Sequence, residues 1–160
     1  DVLAPEEREF LDFVRRLINL RQEHPVLRRS RFMHGLQISK TTGLRDVEWI
    51  SPGGGAMSDY HWQEPKARCF GLLLAGDAGE YLTPDGYLET DDTMLLILNA
   101  GPTAVPFRMP AVRGTSQWRC LLDTAQPQRP AGELLLETGG DFQIEPWAVT
   151  VFALVLASPD

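Results

Sequence analysis

Between positions 5 and 24 the apolar residues Phe10, Phe13, Val14, Leu17, Ile18 and Leu20 recur at intervals of three and four, with Arg8, Asp12, Arg15, Arg16, Asn19 and Gln22 on the other side. This spacing predicts one long amphipathic α-helix. Pro5 suits its first position, Glu6, Glu7 and Glu9 suit the positive end of its dipole, Arg21 suits the negative end, and His24-Pro25 stops it.

Beyond about position 32 the helical period gives way to short apolar and β-branched runs separated by Gly, Pro and Asp clusters. They predict strands at 33–38, 46–50, 68–75, 93–99, 105–109, 117–123, 133–137 with 141–144, and 148–156. With no helical pattern between them these strands must pair antiparallel, because parallel pairs need long crossovers, and a two-sheet sandwich is the natural closure. Two connections, 51–65 and 76–92, exceed the usual length and are candidates for function.

The apolar fraction of 43% and charged fraction of 23% are those of a soluble globular domain, and 160 residues suffice for one sizeable core. The longest apolar stretch, 148–157, is too short to span a bilayer, and no secretory leader pattern opens the chain, which points to the cytoplasm. A net charge of −7 disfavours nucleic acid, so the arginines at 15, 16, 21, 28, 29 and 31 read as a solvated face or a contact with acidic parts of a larger protein. The chain starts at Asp1 rather than Met, which reads as a piece of something longer. Cys69 and Cys120 each sit in a strand pattern and read as buried free thiols; a disulfide would require the two strands to be neighbours.

The patterns of familiar chemistry are missing. No serine has a Gly-x-Ser-x-Gly setting, and Gly53-Gly54-Gly55 leads into no helix pattern that would make a phosphate cradle. His24, His34 and His61 stand far apart, His24 reading as a helix-end cation and the others as surface residues. Asp91-Asp92, the one tight acidic pair, immediately precedes a strand and reads as a turn. No catalytic residue, metal ligand or cofactor is therefore assigned. Trp49, Trp118 and Trp147 fall in or beside strands and read as packing. Trp62, in the long loop with Asp59 and Tyr60, is the candidate sugar-stacking ring; Asp59, Tyr60 and Trp62 together form the candidate substrate-binding set, the competing reading of Trp62 being a loop anchor.

The segment LDFVRRLINLRQEHPVLRRSR (11–31) resembles the helix that ends the catalytic barrel in bacterial glycogen-debranching enzymes of the isoamylase type, within the alpha-amylase superfamily. DVEWISPGGGAMSDYHWQEPKARCFGLLL (46–74) is similar to the same family more specifically, and DDTMLLILNA (91–100) and WRCLLDT (118–124) extend the likeness over nearly the whole chain. The family's Asp-Gly-x-Glu-Met and Asp-Trp are replaced here by Gly53-Gly54-Gly55-Ala56-Met57 and His61-Trp62. The resemblance implies an antiparallel β-sandwich of the amylase C-terminal-domain type at 33–160, preceded at 1–32 by a helix from the end of a (β/α)8 barrel. It also implies a parent enzyme that hydrolyses alpha-1,6 branches of glycogen with an aspartate nucleophile and a glutamate acid, both upstream of this chain. A barrel needs about 250 residues, so the chain itself is expected to be non-catalytic, to stabilise the barrel and to shape substrate access. Two other readings stay open, an independent carbohydrate-binding sandwich and a protein-interaction sandwich. The helix stripe of an isolated chain is expected either to dock on the sandwich or to pair with a second copy as a homodimer.

Overall fold

A computed structural model describes residues 4–29, 32–78, 85–87, 90–112 and 115–156. Helix α1 spans Pro5–Glu23; the Glu7 carboxylate accepts the Ala4 N–H at 2.8 Å, and His24 N–H closes the last turn on the Leu20 carbonyl at 3.1 Å. A 3-10 turn, Pro25–Arg28, leads out of it.

The strands follow as β1 (Val47–Ile50), β2 (Cys69–Leu74), β3 (Met94–Asn99), β4 (Val105–Arg108), β5 (Thr115–Asp123), β6 (Leu135–Glu137), β7 (Asp141–Ile144) and β8 (Ala148–Leu156), with a short helix α2 (Asp59–Gln63) between β1 and β2. Six form one antiparallel sheet in the order β1-β2-β3-β8-β5-β6, and β4 pairs with β7 in a small second sheet. The expected antiparallel sandwich is present. Its interior lies between the two sheets: Leu73, Leu95, Ile97, Trp118 and Phe152 from the large sheet meet Phe107 and Ile144 from the small one.

Period-two alternation explains which side chains go where. On β3, Leu95 and Ile97 point into the sandwich while Met94 and Leu96 point outward, yet Met94 is equally buried. The reason is α1, which lies across the outer face of the large sheet. Phe13 and Leu20 from the helix, with Val26 and Leu27 from the 3-10 turn, pack on Leu74, Met94, Leu122 and Val151. Arg16 fixes the helix by donating to the Pro127 and Arg129 carbonyls, the latter at 2.8 Å, and Arg29 donates to the Ala75 carbonyl.

Several expectations need correction. Residues 33–38 form no strand. Gly35 at φ 68 turns the chain, the Asp46 carboxylate accepts the His34 N–H at 3.1 Å, and only an isolated bridge joins Ile38 to Arg45. Asp91 is more than a turn residue, because its carboxylate binds both the His24 ring and the Val26 N–H. Trp118 is fully buried with its indole N–H on the Pro110 carbonyl at 3.1 Å, as a packing tryptophan should be. Trp49 packs with one side on neighbouring rings while 41% exposed, and Trp147 is exposed, which departs from the packing expected of it. Cys69 and Cys120 are buried free thiols. Of the 76–92 connection, 79–84 and 88–89 lie outside the described residues. No described helix is long and apolar enough to cross a membrane.

Candidate functional site

The connection from β1 to β2 begins as a tight turn. Ser51 N–H bonds the Gly55 carbonyl at 2.7 Å and Gly54 N–H bonds the Ser51 carbonyl at 2.9 Å, while Arg108 N–H reaches across to Pro52 at 2.8 Å. Gly54 sits at φ +84, and a Cβ there would fall 2.9 Å from the Arg108 carbonyl oxygen. Of the three glycines, Gly54 is thus the one required for close backbone approach. Met57 N–H returns to the Trp49 carbonyl at 2.8 Å, which sets α2 beside the end of the large sheet.

Ser58 caps α2 in an unusual form of the capping box. Its N–H donates to His61 Nδ1 at 3.0 Å, so an imidazole takes the place usually held by Glu or Gln. This accounts for His61 as a structural residue. At 100° per residue, Tyr60, His61 and Glu64 share one face of the turn and Trp62 points the opposite way.

The two faces do different things. Trp62 meets Trp49 edge to face, with ring centroids 5.6 Å apart at 82°, and lies 6.3 Å from Phe70. Trp49 and Phe70 are themselves 5.5 Å apart at 71°. These rings stand on the outer face of the large sheet, next to Leu72, which pairs in register with Trp49 and joins the cluster under α1. Trp62 is thus held by protein while one side of it remains open to solvent.

Tyr60, His61 and Glu64 instead wall a cavity of about 520 Å³, with Arg68 and Asn99 beneath and the turn at Pro102 and Thr103 opposite. Asn99 is buried because its amide nitrogen is used up on the carbonyls of Thr103 at 2.8 Å and Glu145 at 3.0 Å. One side chain thereby ties the turn after β3 to the turn before β8. Trp147 rides on that second turn, with its N–H on the Gly101 carbonyl at 3.2 Å. It is the one non-glycine described with positive φ, at 54°, and it is 69% exposed. Such backbone strain costs on the order of 1–3 kcal/mol and persists where the surroundings enforce it, commonly at functional positions.

Of the three sequence candidates, Tyr60 lines the cavity and is 74% exposed, Trp62 belongs to the aromatic cluster behind it, and Asp59 is exposed at the start of α2. The cavity's other walls escaped the sequence reading. The available signal was Asn99: a polar residue ending an apolar strand, just before Gly101-Pro102, has to find partners if it is buried.

Cys69 touches the cavity, but burial pushes its thiol up to about 11, so it stays protonated and unreactive at neutral pH. His24 and Asp91 are 2.8 Å apart and largely buried at the end of α1, where the pair holds the helix, and Asp91 also lines a second cavity of about 250 Å³ with Thr41, Asp77 and Asp92. No group of three acidic, histidine or cysteine residues suited to a metal occurs among the described residues.

Residues 46–150 match the family described as Isoamylase, C-terminal. The "Glycogen operon protein GlgX homolog" of Mycobacterium tuberculosis is 34% identical over 125 residues, covering 78% of this chain and 17% of that protein. The "Isoamylase" of Pseudomonas amyloderamosa is 24% identical over 119 residues, covering 74% of this chain and 13% of that protein. Among solved structures, the trehalulose synthase MutB from Pseudomonas mesoacidophila MX-45 aligns with a TM-score of 0.47 at 17% identity, over 90% of this chain and 17% of that one. The chain thus spans less than a fifth of the length of the curated relatives it matches.

Proposed function

Because this chain belongs to the isoamylase C-terminal family, we propose that it is the non-catalytic C-terminal part of a cytoplasmic glycogen-debranching enzyme that hydrolyses alpha-1,6 branches. In this reading 1–32 closes the wall of the catalytic barrel, 33–160 is the sandwich that stabilises it, and glycogen is met through the larger enzyme.

One observation carries the reading. The apolar arc of α1 is wider than the sheet covers: Phe13 and Leu20 along one edge are docked, while Phe10 is 68% exposed and Ile18 is 50% exposed toward the other edge, with Leu17 between. Positions 10, 14, 17 and 18 fall on one line along a helix, so these side chains form a continuous stripe. Each is worth roughly 1.5–3 kcal/mol when fully buried, which is a large stabilisation to leave in water. The exposed Trp49 and Trp62 stand on the same outer face of the sheet. A helix whose apolar arc is docked along one edge and open along the other fits a position between two bodies, the sandwich and a catalytic barrel.

The assay is release of reducing ends from glycogen and its limit dextrin. The 160-residue chain is expected to give none, and the longer polypeptide carrying it is expected to debranch. Turnover by the chain alone, lost on replacing one of its own carboxylates, would overturn the proposal.

A further inference from the structure

We propose that the cavity between α2 and the turn after β3 is a binding site for a short α-linked glucan segment, with Tyr60 as the stacking ring and Trp147 as a second ring beyond the opposite wall. The inference rests on the glucan-processing reading above and assigns it a place on this chain.

The lining selects the ligand class. Lys66 and Arg68 supply donors to the lining, and Glu64, whose carboxylate accepts the Lys66 backbone N–H at 3.2 Å, supplies an acceptor beside them. An anion entering would meet Glu64, and a cation would meet Lys66 and Arg68. An apolar molecule would strip water from all three without replacing their hydrogen bonds. A neutral polyhydroxyl compound satisfies both signs, because every hydroxyl both donates and accepts. The volume of about 520 Å³ lies within the roughly 300–1,000 Å³ of small-molecule sites. The Tyr60 ring offers an apolar face to the C–H side of a pyranose and a polar tip to its hydroxyls.

The architecture is prepared in advance. Ser58 and His61 fix α2, and thereby Tyr60, while Asn99 locks the opposite turn to the one that carries Trp147. Trp147, held in the left-handed region and 69% exposed, donates its backbone N–H to the carbonyl of Gly101 in the cavity wall. A second sugar ring leaving the cavity past Gly101 would meet it.

The test is titration of the full chain with maltohexaose, followed by amide and indole proton shifts, with cellohexaose as the β-linked control. Saturable shifts are expected in 57–69, in 99–105 and at the Trp147 indole, with a dissociation constant on the order of 1 mM. Tyr60→Ala is expected to weaken binding about tenfold. Tyr60→Phe, which keeps the ring, should restore most of it. Tyr60 is largely exposed, so thermal unfolding of both variants should match the parent. The proposal is overturned by the absence of saturable shifts, by shifts confined to Trp49 and Trp62, by equal binding of cellohexaose, or by full affinity in Tyr60→Ala. The debranching assay is read separately. Sugar binding by a chain that functions alone would remove the debranching proposal and leave this site standing, and the reverse pair of results would do the opposite.

Discussion

His24 Nδ1 lies 2.8 Å from one oxygen of the Asp91 carboxylate, and the other oxygen accepts the Val26 N–H at 2.9 Å. The same side chain also caps the Asp92 N–H at 2.7 Å, so one carboxylate joins the end of α1 and the 3-10 turn to the strand entering the centre of the sheet. Asp91→Ala strands the Val26 N–H, in a residue only 2% exposed, and is expected to cost about 1–3 kcal/mol. Chemical denaturation would measure that loss, and amide exchange should accelerate first in 20–28.

Gly76 stands behind this junction. A Cβ at Gly76 would lie 2.0 Å from the Asp91 carbonyl oxygen and 2.4 Å from that of Asp92. Backbone cannot yield as a side chain can. Gly76→Ala is therefore expected to destabilise by more than about 3 kcal/mol, beyond the 1–3 kcal/mol typical of overpacking between side chains, or to yield no folded protein. A thermal melt within a few degrees of the parent would refute the placement of these two segments.

The two flanks of α1 should respond oppositely to substitution. Leu20→Ala removes a side chain packed in the outer cluster and is expected to cost roughly 1–3 kcal/mol in the isolated chain, less than a fully buried leucine would. Ile18→Glu, on the exposed flank, should change stability by no more than about 0.5 kcal/mol there, yet destabilise the longer polypeptide in which that flank is covered. Equal effects of Ile18→Glu in both contexts would mean that nothing covers the stripe.

How far the sequence could be read depends on which force decided each element. β3 and β8 are largely apolar runs at the middle of the sheet, interrupted only by Thr150 and ended by Asn99, and α1 carries a clear 3.6-residue period, so hydrophobic pattern alone located them. The pattern failed where register decided. By alternation Leu122 should join Trp118 and Cys120 inside the sandwich; a register shift between Cys120 and Leu122 turns it outward onto Val151, beneath α1. The apolar residues of 33–38 suggested a strand, but no neighbouring strand receives them, and Leu36 and Ile38 are exposed. Trp49 packs on Trp62 and Phe70 as its strand position suggests, but its partial exposure follows from an edge strand, and the exposure of Trp147 from a left-handed turn that no local pattern reveals. The cavity was half legible, through Tyr60 in a long loop. Its other walls come from strands distant in sequence and could be found only once β2 and β3 were paired.

Cys69 gives a pH signature. Burial raises its thiol from the ordinary 9.0 to about 11, so the unfolded chain loses that proton first and stability should fall as pH rises through that window. The contribution is up to about 2–3 kcal/mol, fully present below pH 9 and gone above pH 11. Denaturation midpoints measured across this range should decline less steeply in Cys69→Ala than in the parent. Identical slopes would show that the thiol titrates alike in both states.

In the proposed function the outer stripe of α1 packs against a catalytic body within one longer polypeptide. The direct measurement is the intact mass of the protein isolated from its own cells with an antibody raised against this chain, alongside debranching activity in the same fraction. A single polypeptide several times 17.9 kDa that releases reducing ends from limit dextrin is the expected result. A species of 17.9 kDa without any larger form would contradict the claim.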